Sequence, residues 1–294
     1  MQLRGVMTAL ATPFARSGEV DMPAWVRLLQ AQAAAGISSV VVAGSTGEAN
    51  ALSNDEYGRL IEAAVEHAGG MTVVAGTGVP NTAKTIRMTQ LARSHGAQAA
   101  LVVTPAYVRP TQAGLVAHYQ AVADEGGLPV ILYNVPGRTG VDMQPETVAA
   151  LCGHANIVGI KEAVDSAARM EALLKFKAPG FAVLSGDDPT VVRACLAGAD
   201  GLVSVGSNVA PRSFVRLVAQ AMAGDSAITA LDERIRPLYA FLAAEPNPIP
   251  VKDLLAKFGY GHGLRLPLTE LSAAHTGALD EMVKLVETLE SESR

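Results

Sequence analysis

Lys161 follows directly on an apolar run. Residues 156–160, Asn-Ile-Val-Gly-Ile, read as a buried strand that ends in the lysine. Most lysines sit on helix surfaces with the ammonium in water. One at the end of an apolar strand faces desolvation, which lowers a lysine pKa from about 10.4 and frees the amine as a nucleophile. Schiff-base lysines arise in this way. The bland alternative is a strand-end lysine that points to water.

Other reactive types stand at comparable places. Tyr133 closes the run 129–133, and Tyr107 follows the run 99–103. Tyr133 suits a proton shuttle beside a reactive amine, or simply a core aromatic. Gly44-Ser45-Thr46-Gly47-Glu48 follows the run 38–43. Its backbone N–H groups suit a small carboxylate, and the alternative is a turn leading to a helix cap. It lacks the lysine of a nucleotide P-loop, and Gly76-Thr77-Gly78 lacks the third glycine of a dinucleotide fingerprint. Arg138 lies in Pro136-Gly137-Arg138-Thr139-Gly140, as a fork for a substrate carboxylate or as a surface arginine. Asp187 and Asp188 invite a metal, but no histidine or further carboxylate motif supports one, so they read as loop and capping residues. No cofactor-binding motif and no metal site is expected.

These groups share one kind of position, the carboxyl end of a strand, so the strands must bring them together. Strands are expected at 6–12, 38–43, 72–75, 99–103, 129–133, 157–161, 182–184 and 202–205. Helices are expected between them at 22–35, from a capping box of Ser53 with Glu56, and at 81–95, 112–124, 145–151, 167–175 and 190–196. Eight such alternations predict an α/β fold, a (β/α)8 TIM barrel whose reactive groups gather at the carboxyl face. A doubly wound open sheet is the rival. Alternation along the sixth strand turns Lys161 inward and Ile160 and Glu162 away, so Glu162 is not expected to act in the chemistry. Further helices at 211–223, 226–244, 249–258 and 277–290 exceed what an eighth barrel helix needs. The chain is therefore divided into a barrel at 1–224 and a C-terminal helical extension at 225–294, with 291–294 expected to fray.

Of the 294 residues 49% are hydrophobic and 17% charged, enough for a large core. The net charge of −5 with scattered signs, and 4% aromatic content, argue against a nucleic-acid face or a membrane-binding helix. Cys152 and Cys195 make no CxxC motif, which suggests reduced thiols. Met1-Gln2-Leu3-Arg4 lacks the apolar run of a signal peptide, and no 18-residue apolar run occurs. The expectation is a cytoplasmic protein.

Taken jointly, the motifs resemble the dihydrodipicolinate synthase family of pyruvate-dependent class I aldolases, which N-acetylneuraminate lyases also resemble. The residues that carry the likeness are Gly44 to Glu48, Tyr107 with Arg109-Pro110, Tyr133 through Gly140, Gly159-Ile160-Lys161-Glu162-Ala163, Ser185-Gly186-Asp187-Asp188, and Pro246-Asn247-Pro248-Ile249-Pro250-Val251-Lys252. The likeness covers nearly the whole chain. It implies a lyase of diaminopimelate and lysine biosynthesis. Pyruvate would condense with L-aspartate 4-semialdehyde through an imine on Lys161. It further implies Tyr133 as proton donor and acceptor, and Ser45 as its link to Tyr107, which in the family reaches in from a neighbouring subunit. Thr46 would hold the pyruvate carboxylate and Arg138 that of the semialdehyde, with Gly186 and Val203 lining the pocket through backbone groups. A homotetramer built as a dimer of dimers is the family default.

Two departures stand out. Ser45 occupies a position that is usually threonine in the synthases and commonly serine in the lyases, which keeps an aldolase of sugar acids as an alternative. Arg138 belongs to the synthase form. Where synthases regulated by lysine carry their inhibitor-binding residues, this chain carries Asn54, Tyr57, Pro80, Lys84 and Ala106. Lys84 puts a like charge where a glutamate would pair with the lysine ammonium, so insensitivity to lysine is expected. A non-catalytic paralogue would have no need to keep Lys161, Tyr133, Tyr107 and Arg138 together.

Overall fold

The computed structural model describes residues 3–293. Eight strands form a closed barrel in chain order: β1 Gly5–Ala9, β2 Ser39–Val42, β3 Thr72–Gly76, β4 Ala99–Val103, β5 Val130–Asn134, β6 Ile157–Glu162, β7 Ala182–Ser185 and β8 Gly201–Ser204. All neighbours are parallel and β8 pairs with β1, so no edge remains and the open sheet is excluded. The connecting helices are α1 Met22–Ala34, α2 Asn54–His67, α3 Thr82–Ser94, α4 Gln112–Glu125, the short α5 Pro136–Thr139, α6 Pro145–Leu151, α7 Ala167–Leu174, α8 Val191–Leu196 and α9 Pro211–Ala223. Helix starts follow local chemistry. Asp21, Asn81, Thr111 and Ser166 each accept a backbone N–H three residues on, and Ser53 with Glu56 completes the capping box.

Strand alternation sorts the core into two parts. Met7, Val41, Val74, Leu101, Ile131, Leu184 and Val203 fill the lumen. Val40, Val42, Val73, Ala100, Leu132, Ile160 and Leu202 face the helices. Register places Tyr133 of β5 directly beside Lys161 of β6, and Lys161 beside Leu184 of β7. The strand expected at 6–12 stops at Ala9. The Leu10 N–H still donates to the Val41 carbonyl at 3.0 Å, and the Thr12 hydroxyl then donates to the Gly47 carbonyl at 2.7 Å.

Three more helices follow, α10 Ile228–Leu242, α11 Ile249–Lys257 and α12 Thr276–Glu292; they pack on one another, and α10 and α12 also pack on α9. The expected fraying at 291–294 is not seen as far as the described residues reach. The helix continues through Glu292, and Arg294 lies outside them. The reason is docking: α9 has no side-chain cap of its own, and Glu290 of α12 accepts from the N–H groups of Arg212 at 3.2 Å and Ser213 at 3.0 Å.

The segment between α11 and α12 is tied back to the barrel by Arg265, which donates to the Glu56 carboxylate, the Ala51 carbonyl and the Gly18 carbonyl. The guanidinium holds the Glu56 carboxyl at about 2, below its ordinary 4.5. A carboxyl lowered by folding contributes stability in full above pH 4.5, and that contribution is lost as pH falls towards 2. The thermal midpoint of the wild-type protein is therefore expected to fall more steeply across that window than that of Glu56→Gln. Parallel curves would refute it.

Candidate active site

The lumen opens at the carboxyl ends of the strands, and there the reactive groups collect. Lys161 is 5% exposed, with its Nζ lying 4.2 Å from the centroid of the Tyr133 ring. Among the described residues its amine makes no hydrogen bond or ion pair with a carboxylate. It is a buried amine held against an aromatic face. A Cβ added at Gly186 would lie 3.0 Å from both Cγ and Cε of Lys161, so the glycine leaves the lysine its space. Gly186→Ala is expected to fold normally and to lose about tenfold in kcat, since displacing a reacting atom by a fraction of an ångström is costly. An unchanged kcat would show that the lysine chain has slack.

The Gly44–Glu48 turn closes over the mouth. Thr46 is buried and its hydroxyl accepts from Asn247 Nδ2 at 3.0 Å. Arg138 sits on the single turn α5, ended by Gly140 in the left-handed region, and its Nη2 donates to the Asn247 carbonyl at 3.0 Å. Asn247 thus joins the turn to the Arg138 loop. Val203 lines the lumen on β8. Ser45 is exposed and its hydroxyl bonds to nothing among the described residues. Tyr107 is 94% exposed at φ 73°, pinned by its own N–H to the Thr139 carbonyl at 3.1 Å. Within one chain, therefore, Lys161, Tyr133, Thr46, Gly186, Val203 and Arg138 surround one mouth, whereas Tyr107 is directed to the outside. Among the described residues four non-glycine residues have positive φ, Ala43, Glu48, Tyr107 and Arg109, and all lie in the loops that follow β2 and β4. Strain of this kind persists only where surrounding structure enforces it, and functional sites are where it gathers.

A model of the dihydrodipicolinate synthetase family matches residues 2–286. The chain belongs to this family. It is 57% identical over 293 residues to the 4-hydroxy-tetrahydrodipicolinate synthase of Stenotrophomonas maltophilia strain K279a, covering 99% of each chain. Among solved structures it is 39% identical to the chloride-inhibited dihydrodipicolinate synthase of Acinetobacter baumannii complexed with pyruvate, with a TM-score of 0.94 over 97% of this chain and 99% of that one. A monomeric dihydrodipicolinate synthase variant matches with a TM-score of 0.94 at 37% identity, over 97% of both chains.

Carboxylates near Lys161 have distinct duties. Glu162 faces away from the lumen, as alternation requires, yet it is buried. Its oxygens accept from Asn134 Nδ2 and from the Val164 N–H at 2.8 Å, while burial pushes its carboxyl up to about 7. Asp188 accepts from the N–H groups of Val205 at 3.2 Å and Gly206 at 2.8 Å and so fixes the loop after β8; its carboxyl is raised by burial. Burial and the neighbouring Asp188 push Asp187 up to about 6, and the charge of Lys161 opposes them. Among the described residues no cluster of three or more metal-ligating side chains forms, and no helix is long and apolar enough to cross a membrane. Cys152 and Cys195 are free, and burial raises the Cys195 thiol to about 12.

Sequence reading did not assign a task to Asn247 or to Lys252. A signal for Lys252 existed. It stands in the apolar run Ile249-Pro250-Val251, the same anomaly that marks Lys161. For Asn247 there was none, because its partners are 201 and 109 residues away.

Proposed function

We propose that the chain is a Schiff-base-forming lyase that condenses pyruvate with L-aspartate 4-semialdehyde to give 4-hydroxy-tetrahydrodipicolinate. The observation that carries the reading is the buried Lys161 amine on the Tyr133 ring, in a family whose close relatives bear the synthase name. Lys161 attacks the ketone carbon of pyruvate, and the carbinolamine loses water to give an imine. Loss of a methyl proton converts the imine to an enamine. The enamine carbon attacks the aldehyde of the second substrate, and the new alkoxide takes a proton. The amine of the semialdehyde then attacks the imine carbon, closes the six-membered ring and releases Lys161. One water leaves overall.

Tyr133 suits the proton transfers, because its ring lies against the amine that carries the reacting carbons as imine and enamine. Thr46 receives the pyruvate carboxylate through its N–H, and Arg138 the carboxylate of the semialdehyde. Gly186 and Val203 shape the wall behind them. Ser45 and Tyr107 complete the relay across a subunit boundary. The exposed Tyr107 with half-exposed Val108 beside it supports that boundary, and a homotetramer made of two such dimers is the assembly we propose. Two free thiols support a cytoplasmic setting.

Purified protein with pyruvate and borohydride is expected to gain a covalent mass on Lys161. Pyruvate with aspartate semialdehyde is expected to yield product when coupled to the NADPH-dependent reductase that acts on it. A pyruvate adduct without turnover of the semialdehyde would move the second substrate to a sugar-acid aldehyde, the reading Ser45 favours. Absence of any adduct would reject both.

Free lysine is expected not to inhibit. Lys84 presents its ammonium at the start of α3, and Tyr57 is buried with its hydroxyl committed to the Gly76 carbonyl at 3.0 Å. Half-inhibition below about 1 mM lysine, a binding free energy of about 4 kcal/mol, would overturn this.

A further inference from the structure

The Gly44–Glu48 turn is bound to the helical extension by an ion pair that the proposed chemistry does not use. Glu48 and Lys252 of α11 have side chains only 3% and 4% exposed, and the Lys252 ammonium donates to Glu48 Oε1. The other oxygen, Oε2, accepts the Arg265 N–H at 3.0 Å. Glu48 thus serves two donors at once, one on each carboxylate oxygen. Phe14, in the β1–α1 loop, carries the Lys252 ammonium 3.9 Å from its ring centroid and the Arg265 guanidinium at 4.2 Å. Burial pushes Lys252 down to about 8 against the pull of Glu48. Two distant parts of the chain, α11 and the Arg265 segment, therefore meet on Glu48, and Phe14 packs under both cations.

The turn needs such a clamp. Ala43, just before it, and Glu48, at its end, both stand at φ 52°, a conformation that holds only under external constraint. Asn247, five residues before Lys252, bonds to the Thr46 hydroxyl, so a shift of α11 disturbs the turn at two points. Stability does not explain the pair. Replacing a buried ion pair by apolar side chains of similar volume is often neutral or stabilising.

We propose that Glu48 and Lys252 are positioning residues for pyruvate capture, clamping the Gly44–Glu48 turn on the extension and so aiming the Thr46 N–H at the substrate carboxylate. The proposal rests on the Schiff-base reading above.

The test measures the pyruvate concentration that gives half-maximal borohydride-trapped adduct, with kcat at saturating pyruvate alongside. Two single variants are compared with wild type, Glu48→Gln and Lys252→Met. Glu48→Gln fills the same volume, and Lys252 sheds its proton readily, so this variant is expected to fold. The third is the double Glu48→Leu/Lys252→Met, which leaves no unpaired buried charge. All three are expected to need about five- to tenfold more pyruvate, with kcat within about twofold of wild type. The double variant is expected to regain the thermal midpoint that Lys252→Met loses while keeping the raised pyruvate requirement. A purely structural pair predicts that both recover together. Half-saturation within twofold of wild type in Glu48→Gln or in the double variant overturns the proposal. A wild-type protein that gains no adduct instead rejects the Schiff-base reading, and the clamp with it.

Discussion

Lys161→Ala is expected to abolish condensation, with turnover of pyruvate and aspartate semialdehyde down by about 10⁴-fold or more. The enzyme's route splits one difficult carbon–carbon bond formation into steps that all pass through a covalent imine. Without the amine, no imine forms and no enamine follows. Lys161 is the amine buried in the lumen at the barrel mouth; the other buried lysine, Lys252, is committed to Glu48. Free amines in solution cannot replace it, because the loss includes the proximity of a bound nucleophile, worth about 7–11 kcal/mol at best. The variant is expected to remain folded. Deleting an amine that has no carboxylate partner relieves desolvation, which offsets part of the lost packing of its methylenes. Two measurements decide it: coupled turnover, and intact mass after borohydride with pyruvate. Turnover above about 1% of wild type would place the nucleophile elsewhere.

Tyr133→Phe is expected to lower kcat by about 10²–10³-fold, the usual contribution of a positioned acid–base group. The substitution leaves the ring under the Lys161 amine, and with it the 4.2 Å contact, and removes only the hydroxyl. The imine still forms, more slowly. What suffers most is proton transfer to and from the methyl carbon. Exchange of pyruvate methyl protons in deuterated water, followed by NMR in the absence of the semialdehyde, isolates that step. A Tyr133→Phe variant that keeps more than about a tenth of wild-type exchange would remove the phenol from the relay and leave the ring as packing.

Short-range physics made most of the barrel legible. Ser53 and Glu56 form their capping box wherever that tetrapeptide precedes an amphipathic run, and the box is present. The two-residue alternation of β6 sends Lys161 to the lumen and Ile160 to the helices however the barrel closes. Two further features were not foreseen, one set by local chemistry and one by a long-range contact. α5 arises inside a stretch read as a loop, because Pro136 starts a turn that Gly140 can end in the left-handed region. The tail at 291–293 is ordered by its docking on α9, through Ser213 and Glu290.

The extension shows the same division more sharply. Sequence reading found its helices and set them apart from the barrel as an extension. In the folded chain the extension supplies Asn247, just before α11, to Thr46 and Arg138, and Lys252 of α11 to Glu48.

By itself, the sequence determined the order of strands and helices, the face that carries reactive groups, and the lysine at its centre. Each of these follows from patterns a few residues long. The tertiary structure alone decided that Asn247 and Lys252 bear on the mouth, that Glu162 is buried behind the wall, and that Tyr107 points away from its own barrel. Those facts depend on groups more than a hundred residues apart meeting once β8 closes on β1, or on which side of a loop faces water, and no local periodicity encodes either.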